Sequence, residues 1–463
     1  MIKKFISDHK WLFLLIFLGL AVKFTVLHFA LKEVDFRYDD LRADGYYEIA
    51  YNLLNNEAYS RDLAGNLEPD SIRTPGLPIL IYASLYFFNT TAAFIYFQIL
   101  VSAFIPVLVV LLALKSGLKK IPALIIGFFI ALEPMSLSLS VKMLTEIFFS
   151  FFFLLSLVFI ADFFKYIEGL RSGKIIIILS ASAISLSIAT FFRPSSFYLP
   201  FLLSLAWIIY RVLKRKEILV KYVICFILLS NALTFPWMYR NHKVFNSWSY
   251  SSVQDQVLFS ALAPSVMSLE KGTNYPESQK AFFRSQGFDS FPEVFSDRAP
   301  WFRQRALEYA FGHPKGMMAM SALSIFTFFT HDGTLEFLGV IGQSDIVSGF
   351  PHFQNILTAS IGEKFIILKG IIFSPALLIL GMRMIWLIIF IGFAFGTVDM
   401  IRKKRLKPIH GLFVLIILYF ALTSISNGLA INARFRFPVN GLIAIVAFLG
   451  IGYYNSSRIS KAV

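Results

Sequence analysis

Asp39, Asp40 and Asp44 lie close together in one acidic stretch, and four arginines far apart in the chain, Arg73, Arg193, Arg434 and Arg436, each stand at the edge of an apolar run. A positioned carboxylate can take a proton from an attacking nucleophile, while guanidinium groups grip phosphate through paired hydrogen bonds. One such base with several arginines suits a displacement whose leaving group is a phosphate, because that group departs without a general acid and asks only for cations to hold its developing charge. Hydrolysis of a glycosidic bond would instead want two carboxyls at a set separation. No His or Cys spacing supports zinc. A divalent cation held by Asp39, Asp40 and Asp44 is the minor alternative to their being solvated loop charges, since oxygen-only sites need several such ligands.

The elements that must position these residues belong to a membrane. Among 463 residues, 57% are hydrophobic and 15% charged, with a mean hydropathy of +0.68; soluble domains carry about a quarter charged residues. The net charge of +15 falls in short runs between apolar segments and forms no continuous basic face, which argues against nucleic acid. Stretches long enough to cross the bilayer are Trp11 to Leu31, Thr91 to Leu114, Ile121 to Ser140, Glu146 to Phe164, Ile175 to Phe192, Ser196 to Val212, Leu219 to Pro236, Ile379 to Met400, Pro408 to Ser426 and Phe437 to Tyr454. Lysines and arginines cluster at Lys115 to Lys120, at Lys165, Arg171 and Lys174, from Arg211 to Lys221, and from Arg402 to Lys407. Those loops are expected in the cytoplasm, with both termini.

The expected fold class is therefore all-α: a polytopic transmembrane bundle of about ten spans. Pro75 to Phe88 is short and is read as a helix in the outer interface. Gly316 to Thr330 and Phe365 to Leu378 either both cross, for twelve spans, or neither does; neither is preferred. The chain divides into an N-terminal transmembrane module, 1–236, whose first external loop, 32–90, carries the candidate site, an external region, 237–378, with interfacial helices, and C-terminal spans, 379–463. Trp301 to Phe311 reads as an amphipathic helix. At about 80 residues the second loop holds only a marginal core, so it should pack on the membrane domain. The first apolar run is long and lacks a cleavage site, so it reads as an uncleaved helix. The one cysteine, Cys225, excludes an intramolecular disulfide. Lys23, inside the first span, is expected to snorkel outward.

With that topology, Asp39, Asp40, Asp44, Arg73, Glu133, Lys142, Glu146, Arg193, Arg240, His242, Arg434 and Arg436 fall on one side. Arginines there run against the inside bias and want an anion. Each has a plainer reading. Asp44 could cap a helix beginning near Gly45, Glu146 could cap its own span beside Thr145, and the arginines could anchor to anionic lipid heads. His242, His313, His331 and His352 lack ligand spacing.

Six motifs follow in order: Asp44-Gly45-Tyr46-Tyr47-Glu48-Ile49-Ala50, Arg73-Thr74-Pro75-Gly76-Leu77-Pro78, Leu144-Thr145-Glu146, Arg193-Pro194, His313-Pro314 and Arg434-Phe435-Arg436-Phe437-Pro438. In this order the chain resembles the membrane glycosyltransferases that use polyprenyl-phosphate sugars, the superfamily of the protein O-mannosyltransferases and the lipid A aminoarabinose transferase. The resemblance implies an inverting enzyme in a cell's plasma or inner membrane. Its site faces the exterior or periplasm and moves a monosaccharide from a polyprenyl-phosphate donor to a hydroxyl or amine on a glycan, lipid A or protein. It carries the role of base to Asp44, with Asp39 and Asp40 as rivals, since the aminoarabinose enzymes place adjacent acidic residues earlier. Donor phosphate would fall to Arg73, Arg193, Arg434 and Arg436, with Glu146, Tyr46 and Tyr47 in support. The principal rival is a transporter or flippase of a lipid-linked anion. Transporters usually bind near the midplane in repeated halves, and neither feature appears here. A non-catalytic assembly subunit is the second rival.

Overall fold

The computed structural model describes every residue except 1, 64, 66, 168–171, 218–219, 291–297, 344–345, 347–359, 373, 375–376 and 460–463. Arg171 and His352 lie outside the described residues. Among the described residues every regular element is helical, apart from an isolated bridge between Arg42 and Met143.

The N-terminal half holds α1 (Ile2–Glu33), α2 (Tyr46–Asn55), α3 (Gly76–Phe88), α4 (Ala92–Lys115), α5 (Lys120–Leu132), α6 (Pro134–Val141), α7 (Glu146–Tyr166), α8 (Ser172–Phe192), α9 (Leu199–Leu213), α10 (Val220–Ser230) and α11 (Thr234–Phe245). Then come α12 (Val253–Val257), α13 (Ala263–Lys271), α14 (Tyr275–Ser285), α15 (Ala299–Gly312), α16 (Pro314–Thr330), α17 (Thr334–Val340) and α18 (Ile361–Ile372). The chain closes with α19 (Leu377–Arg402), α20 (Pro408–Ser424), α21 (Ala433–Arg436) and α22 (Asn440–Ile459).

Among the described residues eight helices are long and apolar enough to cross a membrane, and ten spans result if the bent pairs α5–α6 and α10–α11 each count as one. These coincide with the ten stretches read from the sequence, and the all-α polytopic fold follows. The 49° bend between α5 and α6 has a local cause. Pro134 disfavours helix at Glu133, which is extended, and the Glu133 carboxylate caps the new helix by accepting from Ser136 N at 2.8 Å. Helices α3, α16 and α18, read as non-crossing, are not among the candidate spans.

Polar contacts mark two ends of the bundle. At one, Lys115 pairs with Asp162, His410 bonds to the Ser116 carbonyl at 2.9 Å, and Lys120 lies 4.8 Å from the Trp11 ring. The last turn of α1, the starts of α4, α7 and α21 and the end of α8 gather at the other. Close helix approach helps: a Cβ on Gly450 of α22 would fall 2.2 Å from the Gly396 Cα of α19, the small-residue contact by which membrane helices gain dispersion energy.

The second large loop is helical. Phe259, in the helical turn before α13, packs with Phe282, Phe283, Phe302 and Met320 of α14 to α16 in a compact apolar cluster, braced by Arg303 donating to both oxygens of Asp255 at 2.6 and 3.0 Å. The amphipathic reading of Trp301 to Phe311 falls inside α15.

Lys23 departs from expectation. Pro106 lies inside α4 and lacks an N–H, so the Ser102 carbonyl one turn earlier loses its helical donor. Lys23 fills that place: Nζ donates to the Ser102 carbonyl at 3.0 Å, and the residue is 0% exposed. It turns inward rather than snorkelling because an unpaired carbonyl in hydrocarbon is itself costly. The pairing predicts coupling. Lys23→Leu should destabilise the detergent-solubilised protein by about 1 kcal/mol less in a Pro106→Ala background, where the helical donor returns, than in wild type. Equal costs in thermal melts would sink this account.

Candidate active site

The stretch after α1 is tied down at several points. Thr91 donates to Asp39 Oδ1 at 2.6 Å and Tyr47 to Asp39 Oδ2 at 3.2 Å, so both oxygens of Asp39 fasten the loop to the starts of α2 and α4. Asp40 forms an ion pair with Arg37 at 2.9 Å. Met143 N donates to the Leu41 carbonyl at 3.1 Å, joining this loop to the α6–α7 connection. The chain then turns through left-handed conformations at Asp44 and Gly45, with φ of 60° and 81°. A non-glycine residue there is uncommon and stores strain where it is held. The turn aims the Asp44 side chain at the ends of α7, α8 and α21.

The three aspartates diverge to Thr91 and Tyr47, to Arg37, and to Arg434. In this arrangement they do not converge as a shared ligand set. Among the described residues no group of three or more His, Cys, Asp or Glu side chains converges on a possible metal position.

Arg434 is the centre of the assembly. Its Nη2 donates to Asp44 Oδ2 at 2.7 Å, and its Nε donates to Glu146 Oε1, which also accepts from Arg193 Nη1. Glu146 is fully buried, whereas the Asp44 side chain keeps 31% exposure. The Arg193 guanidinium lies 5.6 Å from the Phe435 ring. Burial alone would raise the Asp44 pKa, but Arg434, Arg73 and Arg193 outweigh it and hold the carboxyl below its ordinary range. Asp44 is therefore ionised at neutral pH. Among the described residues its Oδ1 has no hydrogen-bond partner.

Arg73, in the turn before α3, adds to the positive field at Asp44 but makes no hydrogen bond or ion pair with it. Its guanidinium lies 5.2 Å from the Tyr46 ring, and its Nε is buried without a hydrogen-bond partner. The turn is held by Asp70, whose Oδ1 accepts from Ile72 N at 2.8 Å and Arg73 N at 2.7 Å, while Oδ2 takes Arg61. Ser71 and Ser252 stitch it to the second loop, their hydroxyls 2.8 Å apart. Tyr46 is buried under Arg73, and that burial raises its phenol pKa. Tyr47 serves Asp39 instead.

Arg436, expected among the phosphate ligands, does not join this group. It is 0% exposed and donates to the carbonyls of Phe328 at 3.0 Å, Phe329 at 2.5 Å and His331 at 2.6 Å, and to Asn440 Oδ1 at 2.8 Å. Its guanidinium lies 3.6 Å from the Trp386 ring centroid. It satisfies the carbonyl end of α16, a C-terminal role that suits a cation. Arg240 lies apart too, donating to the Asp70 carbonyl at 2.8 Å among Tyr59, Trp237 and Phe245.

The sequence reading missed the residues that hold the cluster in place. Asn432 caps the Arg434 turn by accepting from Arg434 N at 3.0 Å. His331 Nδ1 accepts from Gly333 N and Ala433 N, both at 3.2 Å. Asp70 and Asn432 carry a usable signal, since Asx residues just before a turn bond backbone N–H groups ahead of them. His331 carries none.

Residues 79–251 match the family model of dolichyl-phosphate-mannose-protein mannosyltransferases. No curated protein sequence matches the chain significantly. Among solved structures it is similar to the Archaeoglobus fulgidus oligosaccharyltransferase in its apo form, at 12% identity and a TM-score of 0.47 over 96% of this chain and 51% of that one. The same enzyme tethered to an acceptor peptide gives 14% and 0.48, over 94% and 49%. ArnT from Cupriavidus metallidurans bound to undecaprenyl phosphate gives 12% and 0.42, over 96% and 78%. The chain thus spans about half the length of the oligosaccharyltransferase chains. At these TM-scores the structural likenesses do not bear on the site.

The buried ion triad should be costly to break singly. Arg434→Gln and Glu146→Gln should each destabilise by about 3–5 kcal/mol, with the double variant losing far less than the sum, as for a buried pair. Melts of purified protein check this. The depressed Asp44 pKa lies below its unfolded value, so its contribution is present above that value and is lost as the pH falls through the folded one. The resemblance read from the sequence to the polyprenyl-phosphate-sugar transferase superfamily is borne out over residues 79–251 by the mannosyltransferase family model.

Proposed function

We propose that this protein is a glycosyltransferase that moves a monosaccharide from a polyprenyl-phosphate donor onto an acceptor hydroxyl or amine, at the membrane face opposite its basic loops. The observation that carries this reading is the pairing of an ionised, part-exposed Asp44 with Arg73, a guanidinium that has no carboxylate partner among the described residues and a buried Nε without an acceptor. A buried donor left unpaired is expensive, and a phosphate oxygen would satisfy it.

In this reading the donor phosphate lies on Arg73, with Arg193 adding a second cation. Arg193 gives only Nη1 to Glu146, so its outer nitrogen remains for the ligand. Arg434 is occupied by two carboxylates and acts as the base's anchor instead of a phosphate ligand. Asp44 Oδ1 accepts the proton of the acceptor as its oxygen or nitrogen attacks the anomeric carbon. The C1–O bond to phosphate breaks on the opposite side, giving inversion and free polyprenyl phosphate. Held arginines stabilise the departing charge without reorganising, and low surrounding polarity strengthens them. The apolar helices beside the site would take the lipid tail. Asp39 and Asp40, engaged with loop partners, serve structure.

The test is transfer of labelled sugar from polyprenyl-phosphate donors in membranes carrying the protein. Asp44→Asn should lower transfer by about 10²–10⁴-fold, the usual weight of a general base, at normal membrane levels. Asp40→Asn should stay close to wild type, and Arg73→Met should weaken donor binding. Arg434→Gln removes the strongest cation on Asp44, so the acid limb of the rate profile should move to higher pH. A wild-type protein that transfers nothing from several such donors, yet carries lipid-linked substrate across vesicles, would make it a transporter.

A further inference from the structure

At the end of the bundle that carries the basic loops, α7, α8, α9, α10 and α20 surround an apolar cavity of about 60 Å³. Its wall is made by Phe163 of α7, Leu179 of α8, Trp207 of α9, Tyr222 and Phe226 of α10 and Leu412 of α20. The Phe163 ring lies 5.3 Å from that of Trp207 and 6.2 Å from that of Tyr222, so one side chain ties α7 to both neighbours. Helix α7 starts at Glu146, and at about 1.5 Å per residue Phe163 stands about 25 Å further along its axis. The cavity is therefore separate from the site that Asp44 and Arg73 form.

Its wall decides what it can hold. A water needs about 10–15 Å³ of such space together with two to four polar partners. Several would fit by volume, but the wall is mostly hydrocarbon and aromatic carbon. Left empty, the side chains around it forfeit dispersion contacts. The wall residues Phe164, Trp207 and Val223 are half-buried, which places the mouth on the outside of the bundle between α7, α9 and α10.

Cations stand at the polar end of the same walls. The Arg211 guanidinium lies 5.3 Å from the Trp207 ring and Lys221 Nζ 5.2 Å from the Tyr222 ring, both rings of the cavity wall. Arg211 is further fixed by donating from Nε to the Glu217 carbonyl at 2.8 Å. Lys165 directly follows Phe164, and its Nζ lies 5.0 Å from the Tyr166 ring. Lys214, Arg215 and Lys216 are exposed just beyond α9, and the stretch from Arg211 to Lys221 holds a single acid, Glu217. Among the described residues neither Lys165 nor Lys221 makes an ion pair.

We propose that this cavity is a binding site for one anionic phospholipid of the leaflet on the side of the basic loops. An acyl chain fills the apolar space, and the phosphate lies on Lys221 and Arg211, with Lys165 and the turn after α9 adding charge. A neutral lipid would leave these cations unanswered, and a soluble anion would leave the apolar space empty. Basic pockets between membrane helices hold lipid phosphates by this combination.

The test uses the full chain purified in detergent, with dioleoyl phosphatidylglycerol or dioleoyl phosphatidylcholine added and bound lipid counted by native mass spectrometry. One phosphatidylglycerol per chain should be retained at least about tenfold more tightly than phosphatidylcholine, since each cation near a lipid phosphate contributes a factor of about five. Phosphatidylglycerol brominated on its acyl chains should quench tryptophan emission saturably, and most of that quenching should vanish in Trp207→Phe. Lys221→Gln, at an exposed position, should weaken retention about fivefold, and Lys221→Arg should keep it. Val223→Trp should block the chain and expel the lipid with helical circular dichroism unchanged. Equal retention of the two lipids, quenching unchanged in Trp207→Phe, binding untouched by Lys221→Gln, or displacement by glycerol phosphate alone would overturn the site. None of these readouts depends on sugar transfer.

Discussion

A carboxylate with no access to water must meet a cation, and at Glu146 that requirement organises one end of the molecule. The residue opens α7 and is fully buried, so ionising it unaided would cost several kcal/mol. Arg193 from the end of α8 and Arg434 from the turn before α22 both supply charge to Oε1. Arg434 then has one face left, and Asp44 takes it. Four segments spread over 390 residues are thereby drawn together by one charge balance.

That balance also distinguishes two kinds of arginine. Arg434 and Arg436 are two positions apart on the same short helix, α21, yet they do opposite things. Arg434 points to carboxylates and Arg436 to the carbonyls that end α16. By contrast, Arg73 is placed by Asp70 and by Tyr46 but is left without an acceptor for Nε. In the proposed transfer, arginines already committed to protein acceptors hold the geometry, and the uncommitted one would meet the donor phosphate.

Orphan polar groups recur as the organising device within the apolar bundle. Pro106 frees a carbonyl that Lys23 takes up, and the start of α6 uses Glu133 as its cap. Gln98 donates to the carbonyls of Leu139, Ser140 and Lys142 at 3.2, 3.0 and 2.7 Å where α6 ends. Lys23 and Gln98 repair a broken helical ladder from another element and Glu133 does so from the bend itself, because hydrocarbon offers no water to do it.

How much of this was legible beforehand follows from the range of each force. A span declares itself by some twenty apolar residues in a row, a property local to the chain, so all ten stretches and the amphipathic α15 could be read directly. Clustered lysines and arginines likewise ordered the loops. The sequence also marked Asp44, Arg73, Glu146, Arg193 and Arg434 as polar residues at span ends. It did not determine their partners, because a guanidinium's choice between a carboxylate, a carbonyl and an external phosphate depends on groups brought near by folding. Tertiary structure alone separated Arg434 from Arg436, turned Lys23 inward, and sent Asp39 to Thr91 and Tyr47 and Asp40 to Arg37. Hydrophobic length is written along the chain, whereas electrostatic pairing is settled in space.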